Sequence, residues 1–489
     1  MLTRVLRDLT PRPSLKGLSI PTNNGSKIKD METQEQSNTE WAEIEFGKVE
    51  LGDKRRTKRL VQLAKQRIER PNGSIAESCG SKAGTKAAYR LLDNDDIEAE
   101  AIQSGHRRAT IERISGEKVI LAIQDTTQLN YSPHRATQGL GYLQDMSHRG
   151  MLVHTTLVVN PQRVPYGIIQ QQVWVRPIEE YQKHHQRKER PTKAKESQKW
   201  LTSLDAVAEL QAEVPESRVV SVGDSEADIY DLFHEAAKLK QDLLVRGCID
   251  RRVDHPEKLL WEHMRSQAKA GEITIEVPRR AGKKMRTTVM EIRYGQVNLC
   301  PPRHRAKEKL PQISLWAVLA CEEVASSGED AIEWLLLTTV AVNSFADSCE
   351  RIQWYTCRWV IEMYHKVLKS GCRVEERQFA DLDNLKRYLA LDAVVAWRVL
   401  YLTLLSRETP NVDCTVILDT QQWQALYCFV HKTKSPPSKP PTLKEATLWI
   451  AQLGGFLGRK SDGNPGSMTL WRGVQRLTDI TDAWLIFHG

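Results

Sequence analysis

VILAIQD at residues 119–125 decides the fold class, because five consecutive apolar residues end at a glutamine and an aspartate. A short apolar run bounded by polar residues indicates a buried β-strand. Two β-branched stretches follow at 151–159 and 166–175, and Asn160-Pro161 between them indicates a hairpin turn. The sequence therefore predicts three strands that begin a β-sheet.

Helical and extended segments alternate after this hairpin. Helices are predicted near 199–213 and 226–238, and strands at 219–222 and 243–245. Three strands followed by such an alternation predict an α/β unit with a mixed sheet. The later elements are expected to be strands at 273–277, 287–294, 297–300, 313–321 and 334–338, and helices at 349–370 and 385–406.

A chain of 489 residues is too long for one ordinary core, so several domains are expected. Residues 1–37 are polar and aperiodic and predict a disordered extension. Residues 38–102 predict a small helical domain with a basic face. Residues 103–408 predict the α/β core, with a mainly β insertion at about 249–330, and residues 409–489 predict a helical C-terminal domain.

The composition is that of a globular protein, with 40% hydrophobic and 27% charged residues. No uninterrupted apolar run approaches membrane-spanning length, and the N-terminus lacks the apolar core of a signal peptide. We therefore expect a cytoplasmic protein without a membrane partner. The nine cysteines are scattered without a CxxC pair, which favours reduced thiols. Any metal ion must then be held by carboxylates.

The net charge of +8 is modest for this length and by itself indicates only a solvated surface with a basic excess. Local clustering is more informative. Basic residues are concentrated in four segments, at 54–70, 183–199, 279–286 and 303–309. Several separate basic patches suit a long polyanion that contacts more than one domain.

Asp125 and Asp224 are each expected at the carboxyl end of a buried strand. Open α/β sheets place their reactive groups at those ends. Two carboxylates on neighbouring strands can bridge a pair of divalent cations, and such a pair supports in-line phosphoryl displacement. Mg²⁺ or Mn²⁺ suits these oxygen ligands. Either aspartate alone has a simpler interpretation as a helix cap, and Asp224 before Ser225-Glu226 fits that interpretation.

The helix predicted at 349–370 carries a polar stripe opposite an apolar face. At roughly 100° per residue, the members of the stripe are Tyr355, Arg358, Glu362, Lys366 and Lys369. A surface helix with ion pairs four residues apart would explain the charged members equally well. It would not explain why this polar stripe is expected to face the sheet that carries both aspartates. The stripe therefore favours a functional site.

The pattern Y-(2)-R-(3)-E-(6)-K formed by Tyr355, Arg358, Glu362 and Lys369 resembles the signature of bacterial transposases in the insertion-sequence-four family. QDTT at 124–127 and DSEADI at 224–229 carry the same resemblance. Supporting matches follow the family's order from about residue 41 to 460, so the resemblance covers nearly the whole chain.

The resemblance implies a DDE transposase with an RNase H-like core, in which Asp125, Asp224 and Glu362 hold two Mg²⁺ ions, or Mn²⁺. The DNA contacts that it implies are made by Tyr355, Arg358, Lys366, Lys369, Trp334, Arg246, Arg55, Arg56 and Arg59. Trp334 matches a tryptophan that stacks on a flipped base, for which an indole face is suited. Its alternative role is in the core, because it opens a predicted buried strand.

The implied activity is cut-and-paste transposition, with cleavage at the transposon ends, a hairpin intermediate and joining of the 3′ ends to target DNA. The implied partners are double-stranded DNA, as terminal inverted repeats and target, and a second copy of the chain bound through the C-terminal domain. Such a protein would be associated with the nucleoid. Ser225 departs from the family, which commonly has a basic residue there.

Two alternatives remain open at this point. One is a catalytically silent, DNA-binding transposition inhibitor of the same fold, against which the complete set of acids argues. The other is a nuclease of the same fold that does not transfer strands. The basic N-terminal segment and the stripe on the 349–370 helix argue for end recognition and transfer.

Overall fold

The computed structural model describes residues 38–181, 195–255, 259–277, 286–322, 331–459 and 462–488. The extension predicted at 1–37 and most of the basic segments 183–199 and 279–286 lie outside these residues. All nine cysteines lie within them and are unpaired, as the sequence predicts.

Helices come first along the described chain, and most begin at a side-chain cap. Their bounds are α1 Asn38–Phe46, α2 Lys54–Glu69, α3 Ile75–Cys79, α4 Lys82–Leu92 and α5 Ala99–Ile114. The Asp53 carboxylate caps α2 by accepting a hydrogen bond from the backbone of Arg55, and the Ser81 hydroxyl caps α4 in the same way. The apolar face of α2 is buried, and Leu60 and Leu63 are fully covered. Packing of that face leaves Lys54, Arg55 and Lys58 of α2 exposed, whereas Arg67 is buried.

The described strands form one ten-stranded mixed sheet. They are β1 Val119–Asn130, β2 Gly141–Tyr142, β3 Arg149–Val159, β4 Pro165–Trp174, β5 Arg218–Gly223, β6 Asp242–Gly247, β7 Gly271–Val277, β8 Arg286–Leu299, β9 Ile313–Glu322 and β10 Glu333–Thr338. The antiparallel neighbours β4, β3 and β1 are followed by β5 and β6, which run parallel to β1. This arrangement is the RNase H-like mixed-sheet core that the sequence predicts.

The β insertion extends this sheet instead of interrupting it. β10 pairs with β6 on one side and with β9 on the other, and β8 and β7 continue the order. β8 is one continuous strand, so the prediction of two strands at 287–294 and 297–300 was wrong. The reason is that Gly295 and Gln296 stay in register with β9 instead of forming a turn.

The remaining helices cover the sheet and form the C-terminal part. They are α6 Gln198–Glu213, α7 Tyr230–Leu239, α8 Leu260–Arg265, α9 Phe345–Thr356, α10 Trp359–Lys366, α11 Leu382–Glu408, α12 Thr420–His431, α13 Leu443–Leu453 and α14 Ser467–His488. The helix predicted at 226–238 begins later, at Tyr230, because a 3₁₀ turn caps the preceding strand. The helix predicted at 349–370 is divided at Cys357-Arg358, where the backbone bonds reach back only three residues.

α11 is the central helix of the molecule. It is long and apolar enough to cross a membrane by length and composition, but 89% of its most apolar window is buried inside the protein, as expected for a core helix. A fully buried ion pair between Arg67 and Asp392 joins α2 to α11. The C-terminal helix α14 also reaches α2, where Arg70 lies 3.5 Å from Asp479. The helical parts at both ends of the chain therefore pack on the core and on each other.

Candidate active site

Asp125 lies inside β1, which continues to Asn130, so the prediction that it ends its strand was wrong. β1 stays paired with β3 through this region, where Asp125 is opposite Thr155. On its other side, the parallel pairing with β5 ends at Ile123 and Val222. Asp125 therefore lies just beyond the end of the parallel ladder, on a strand that antiparallel pairing prolongs.

Asp224 directly follows β5, as predicted, and lies as far beyond the last parallel pair as Asp125 does. The two aspartates are thus at the same edge of the sheet. One oxygen of Asp224 also accepts a hydrogen bond of 2.8 Å from the backbone of Glu226, so the helix-cap interpretation holds as well. Burial raises the pKa of Asp224 to about 6, and the charge of Asp125 contributes to the rise. Burial likewise raises the pKa of Asp125, against the opposing charge of Arg358.

Glu362 faces this edge from α10 and is held by the arginine that precedes this helix. The Arg358 guanidinium donates a hydrogen bond of 2.7 Å to the Glu362 carboxylate. Burial raises the pKa of Glu362, and Arg358 opposes that rise. The pKa of Arg358 is raised despite its burial, because Tyr355 and the three acids all favour its charged form. One guanidinium is therefore shared electrostatically among three carboxylates.

The predicted polar stripe runs from the interior to the surface. Tyr355 and Arg358 are buried, Glu362 and Lys369 are half-buried, and Lys366 is exposed. The stripe is therefore not a uniform surface face, since its first members are packed against the core. The exposed Lys366 therefore places a positive charge at the protein surface, and the buried Arg358 places another beside the acids.

Trp334 and Tyr355 cover each other in this structure. The indole of Trp334 is only 2% exposed and meets the Tyr355 ring edge-on, with 6.2 Å between the ring centroids. The core interpretation of Trp334 thus describes this arrangement. Stacking on a DNA base would require that the indole be uncovered first. Arg246 lies in β6 opposite Leu336, and its charge acts on the Tyr355 hydroxyl together with that of Arg358.

Two histidines behind Asp125 were missed by the sequence analysis. His365 is buried, and its Nδ1 lies 3.8 Å from a carboxylate oxygen of Asp125. The contact is not an ion pair, because burial, with the nearby charge of Lys369, lowers the pKa of His365 to about 3. His154 contacts the hydroxyl of Thr126 at 2.9 Å. His365 lies three residues after Glu362, and that helical spacing could have identified it.

The donor set at this edge fits a hard divalent cation in part. Asp125 and Asp224 supply carboxylate oxygens from neighbouring strands, and the charge of Asp125 helps to raise the pKa of Asp224. Carboxylate oxygens are the ligands that Mg²⁺ and Mn²⁺ prefer. However, no three His, Cys, Asp or Glu side chains in the described part of the chain are grouped closely enough to hold a metal ion. The carboxylate of Glu362, the third acid, is instead hydrogen-bonded to Arg358.

The three arginines predicted to read DNA differ in availability. The Arg55 side chain is 94% exposed. Arg56 donates hydrogen bonds to Asp96 and to the Leu51 carbonyl, and Arg59 donates to the Gly84 carbonyl, which ties α2 to α4. Arg56 and Arg59 therefore have structural roles in this arrangement.

A second basic face, on α4, is more open. Its exposed residues are Lys82, Ala83, Lys86, Tyr89 and Arg90. Small residues among cations let a backbone approach closely, so this face suits a phosphate chain. The sequence predicted a helical domain with a basic face at 38–102 but assigned its DNA contacts to Arg55, Arg56 and Arg59 and not to α4.

Two comparisons with known protein families bear on the ends of the chain. A family model described as Transposase DNA-binding matches residues 38–97. A second, described as Transposase Tn5 dimerisation domain, matches residues 394–484. The chain is therefore similar to DNA transposases on both sides of its RNase H-like core. The similarity is with Tn5 transposase in particular at the C-terminal end, and it supports DNA binding and dimer formation.

Proposed function

We propose that this chain is a cut-and-paste DNA transposase of the insertion-sequence-four type, with Asp125, Asp224 and Glu362 as its DDE acids. The observation that carries the proposal is the position of the two aspartates at one edge of an RNase H-like sheet, with Glu362 facing them from α10. The similarity of the flanking segments to transposase DNA-binding and dimerisation domains supports it.

The three acids would hold two Mg²⁺ ions, or Mn²⁺. Such ions, when bound, lower the pKa of an attacking hydroxyl and stabilise charge on the leaving oxygen. The protein's own contribution is positional. The β1–β5 ladder fixes both aspartates, and the Gln124 amide donates a hydrogen bond of 2.6 Å to the Ser221 hydroxyl across that ladder. Arg358, Lys366 and Lys369 would hold the phosphates of the DNA end in line with the acids.

End recognition and pairing would use the outer parts of the chain. The exposed Arg55 and the basic face of α4 would contact the terminal inverted repeats. Two copies would be joined through residues 394–484 so that paired ends are cut and transferred together. Cleavage through a hairpin and joining of the 3′ ends to target DNA would complete the reaction.

The test is cleavage and strand transfer with DNA that carries the inverted repeats flanking the coding region. We expect Asp125→Asn, Asp224→Asn or Glu362→Gln to lower Mg²⁺-dependent cleavage at least ~1000-fold while end binding persists. Glu209→Gln removes an exposed acid of α6 and serves as the matched control with unchanged cleavage. Normal cleavage by any of the three variants would overturn the proposal.

The same assay separates the two alternatives. End binding without nicking by the wild-type chain would identify a silent inhibitor. Nicking without joining of the 3′ ends to target DNA would identify a nuclease of this fold. The complete acid set argues against the first alternative. The match to a transposase dimerisation domain argues against the second, because paired ends are needed for transfer and not for hydrolysis.

A further inference from the structure

Glu362 is positioned to complete an acid site but is bound to a cation of the protein. Its carboxylate accepts a 2.7 Å hydrogen bond from Arg358, four residues earlier in the chain. The Arg358 side chain is only 6% exposed and that of Glu362 is 38% exposed, so water screens this pair from the Glu362 side. Within the described ranges, no three metal-ligating side chains form a ready-made group. The structure therefore holds two of the three acids at one edge of the sheet and pairs the third with an arginine.

We propose that Arg358 is a latch that keeps Glu362 off the aspartate pair until a DNA phosphate takes over the guanidinium, so that DNA binding completes the metal site. This inference rests on the proposed function, because it assigns a regulation to the same three acids. It makes Arg358 a positioning residue for Glu362 as well as a phosphate contact.

The charge balance explains why the latch is closed without DNA. Two aspartates and a glutamate near one another repel, and Arg358 is the cation whose charge acts on all three. A divalent cation that entered now would have to approach this guanidinium, and like charges raise the cost of binding. When a phosphate pairs with Arg358, the guanidinium is neutralised, Glu362 is released and the acids need a new cation. Metal binding and DNA binding should therefore favour each other, and the coupling must be reciprocal.

Two local features make the exchange feasible. The Nε of Arg358 is buried without a hydrogen-bond partner in the described structure, so the guanidinium has a donor left for a second acceptor. Guanidinium groups bind phosphate oxygens through two parallel hydrogen bonds, which a single carboxylate contact does not satisfy. Arg358 also lies at the division between α9 and α10, where the helical bonding pattern is irregular. A small shift there can move the side chain without breaking a regular helical turn.

The experiment is calorimetric titration of the full DNA-free chain with Mn²⁺ alone. We expect weak binding by the wild type and at least tenfold tighter binding by Arg358→Met, because Glu362 is then free to join the aspartates. The double variant Arg358→Met/Glu362→Gln should lose that gain. Arg218→Met is the matched control, since it removes one positive charge from the far end of β5, and it should leave the affinity unchanged.

Thermal melting verifies that each variant is folded. If Arg358→Met is unfolded, Arg358→Gln replaces it, because its neutral, polar side chain removes the positive charge that opposes the cation, and tighter Mn²⁺ binding is expected again. Equal Mn²⁺ affinity of the wild type and the Arg358 variant overturns the latch, and so does a gain that persists in the double variant.

These outcomes do not depend on cleavage. If the wild type cleaves ends but the Arg358 variant shows no gain in Mn²⁺ affinity, the latch is rejected and the proposed function is kept. If the variant shows the gain but the chain never cleaves, the proposed function is rejected and the latch is kept.

Discussion

Glu45 and the three acids at the sheet edge are both buried beside arginine, but their charges are balanced differently. Glu45, on α1, accepts hydrogen bonds of 2.5 Å from both Arg113 and His106, so one acid has two partners. Although burial alone would raise it, the pKa of Glu45 is held at about 2, chiefly by the charge of Arg113. At the sheet edge three acids share Arg358, and the pKa of Asp224 rises to about 6.

The difference separates a structural cluster from a site that requires a ligand. In the Glu45 cluster both oxygens of the acid are engaged, and the backbone N–H of Ile168 donates to Nε2 of His106, so Nδ1 carries the proton that faces Glu45. This fixes a neutral histidine, consistent with a pKa that burial lowers. The shared arginine at the sheet edge leaves negative charge uncompensated. A balanced cluster stabilises the fold, whereas an unbalanced one costs stability until a cation binds.

Among the regions in which buried charges are balanced, substitution of Arg67 is expected to cause the largest loss of stability. Its guanidinium makes two 2.9 Å hydrogen bonds to Asp392, and both side chains are fully buried. Arg67→Leu should destabilise the chain by about 3–5 kcal/mol, because it leaves a buried charge without a partner. The measurement is urea denaturation followed by tryptophan fluorescence.

The double variant Arg67→Leu/Asp392→Leu is the control for this prediction. Removing both charges should recover part of the loss, since no unpaired carboxylate remains. Arg67 also donates to the carbonyls of Pro71 and Gly73, so recovery should be incomplete. A single variant as stable as the wild type would contradict the view that the pair anchors α2 to α11.

The sequence predicted the mixed sheet and its helical flanks because long periodic segments report which faces are buried. It misplaced boundaries where tertiary pairing overrides local signals. β1 runs past Asp125 because β3 continues the ladder, and Gly295 does not interrupt β8 because β9 holds its register. Neither partner strand is visible from the local residues.

The candidate site was predicted as a list of residues, and its internal contacts were not. The stripe geometry assumed one straight helix, whereas the division at Cys357-Arg358 buries Tyr355 and leaves Lys366 exposed. Spacing also indicated that Arg358 and Glu362 could pair, but not that this pair removes Glu362 from a group of three acids. Such competition among charges depends on burial, which a sequence pattern does not measure.

Glu45→Gln provides a milder break of the balanced cluster. We expect a loss of about 2 kcal/mol at pH 7, since the single amide oxygen can replace only one of the two accepting carboxylate oxygens and leaves the charge of Arg113 uncompensated. The folded-state pKa is lowered from 4.5 to about 2, so this contribution is present above pH 4.5 and disappears as the pH falls toward 2. Urea midpoints of both proteins between pH 7 and pH 3 should therefore converge on acidification. A constant difference across that range would contradict the charge-based explanation.

The smallest expected effect has the opposite sign and sharpens the comparison at the sheet edge. Because the pKa of Asp224 is raised from 3.8 to about 6, ionised Asp224 costs stability fully above pH 6, and the cost disappears as the pH falls toward 3.8. Asp224→Asn should therefore be more stable than the wild type by about 1 kcal/mol at pH 8 without metal, and equal to it near pH 4. Adding Mg²⁺ should narrow the difference, because a cation that binds only the wild type stabilises it, although weak binding without DNA limits that stabilisation. Thermal melts with and without Mg²⁺ measure both effects. A destabilised Asp224→Asn at pH 8 without metal would contradict the repulsion among the acids, because asparagine caps a helix as well as aspartate does.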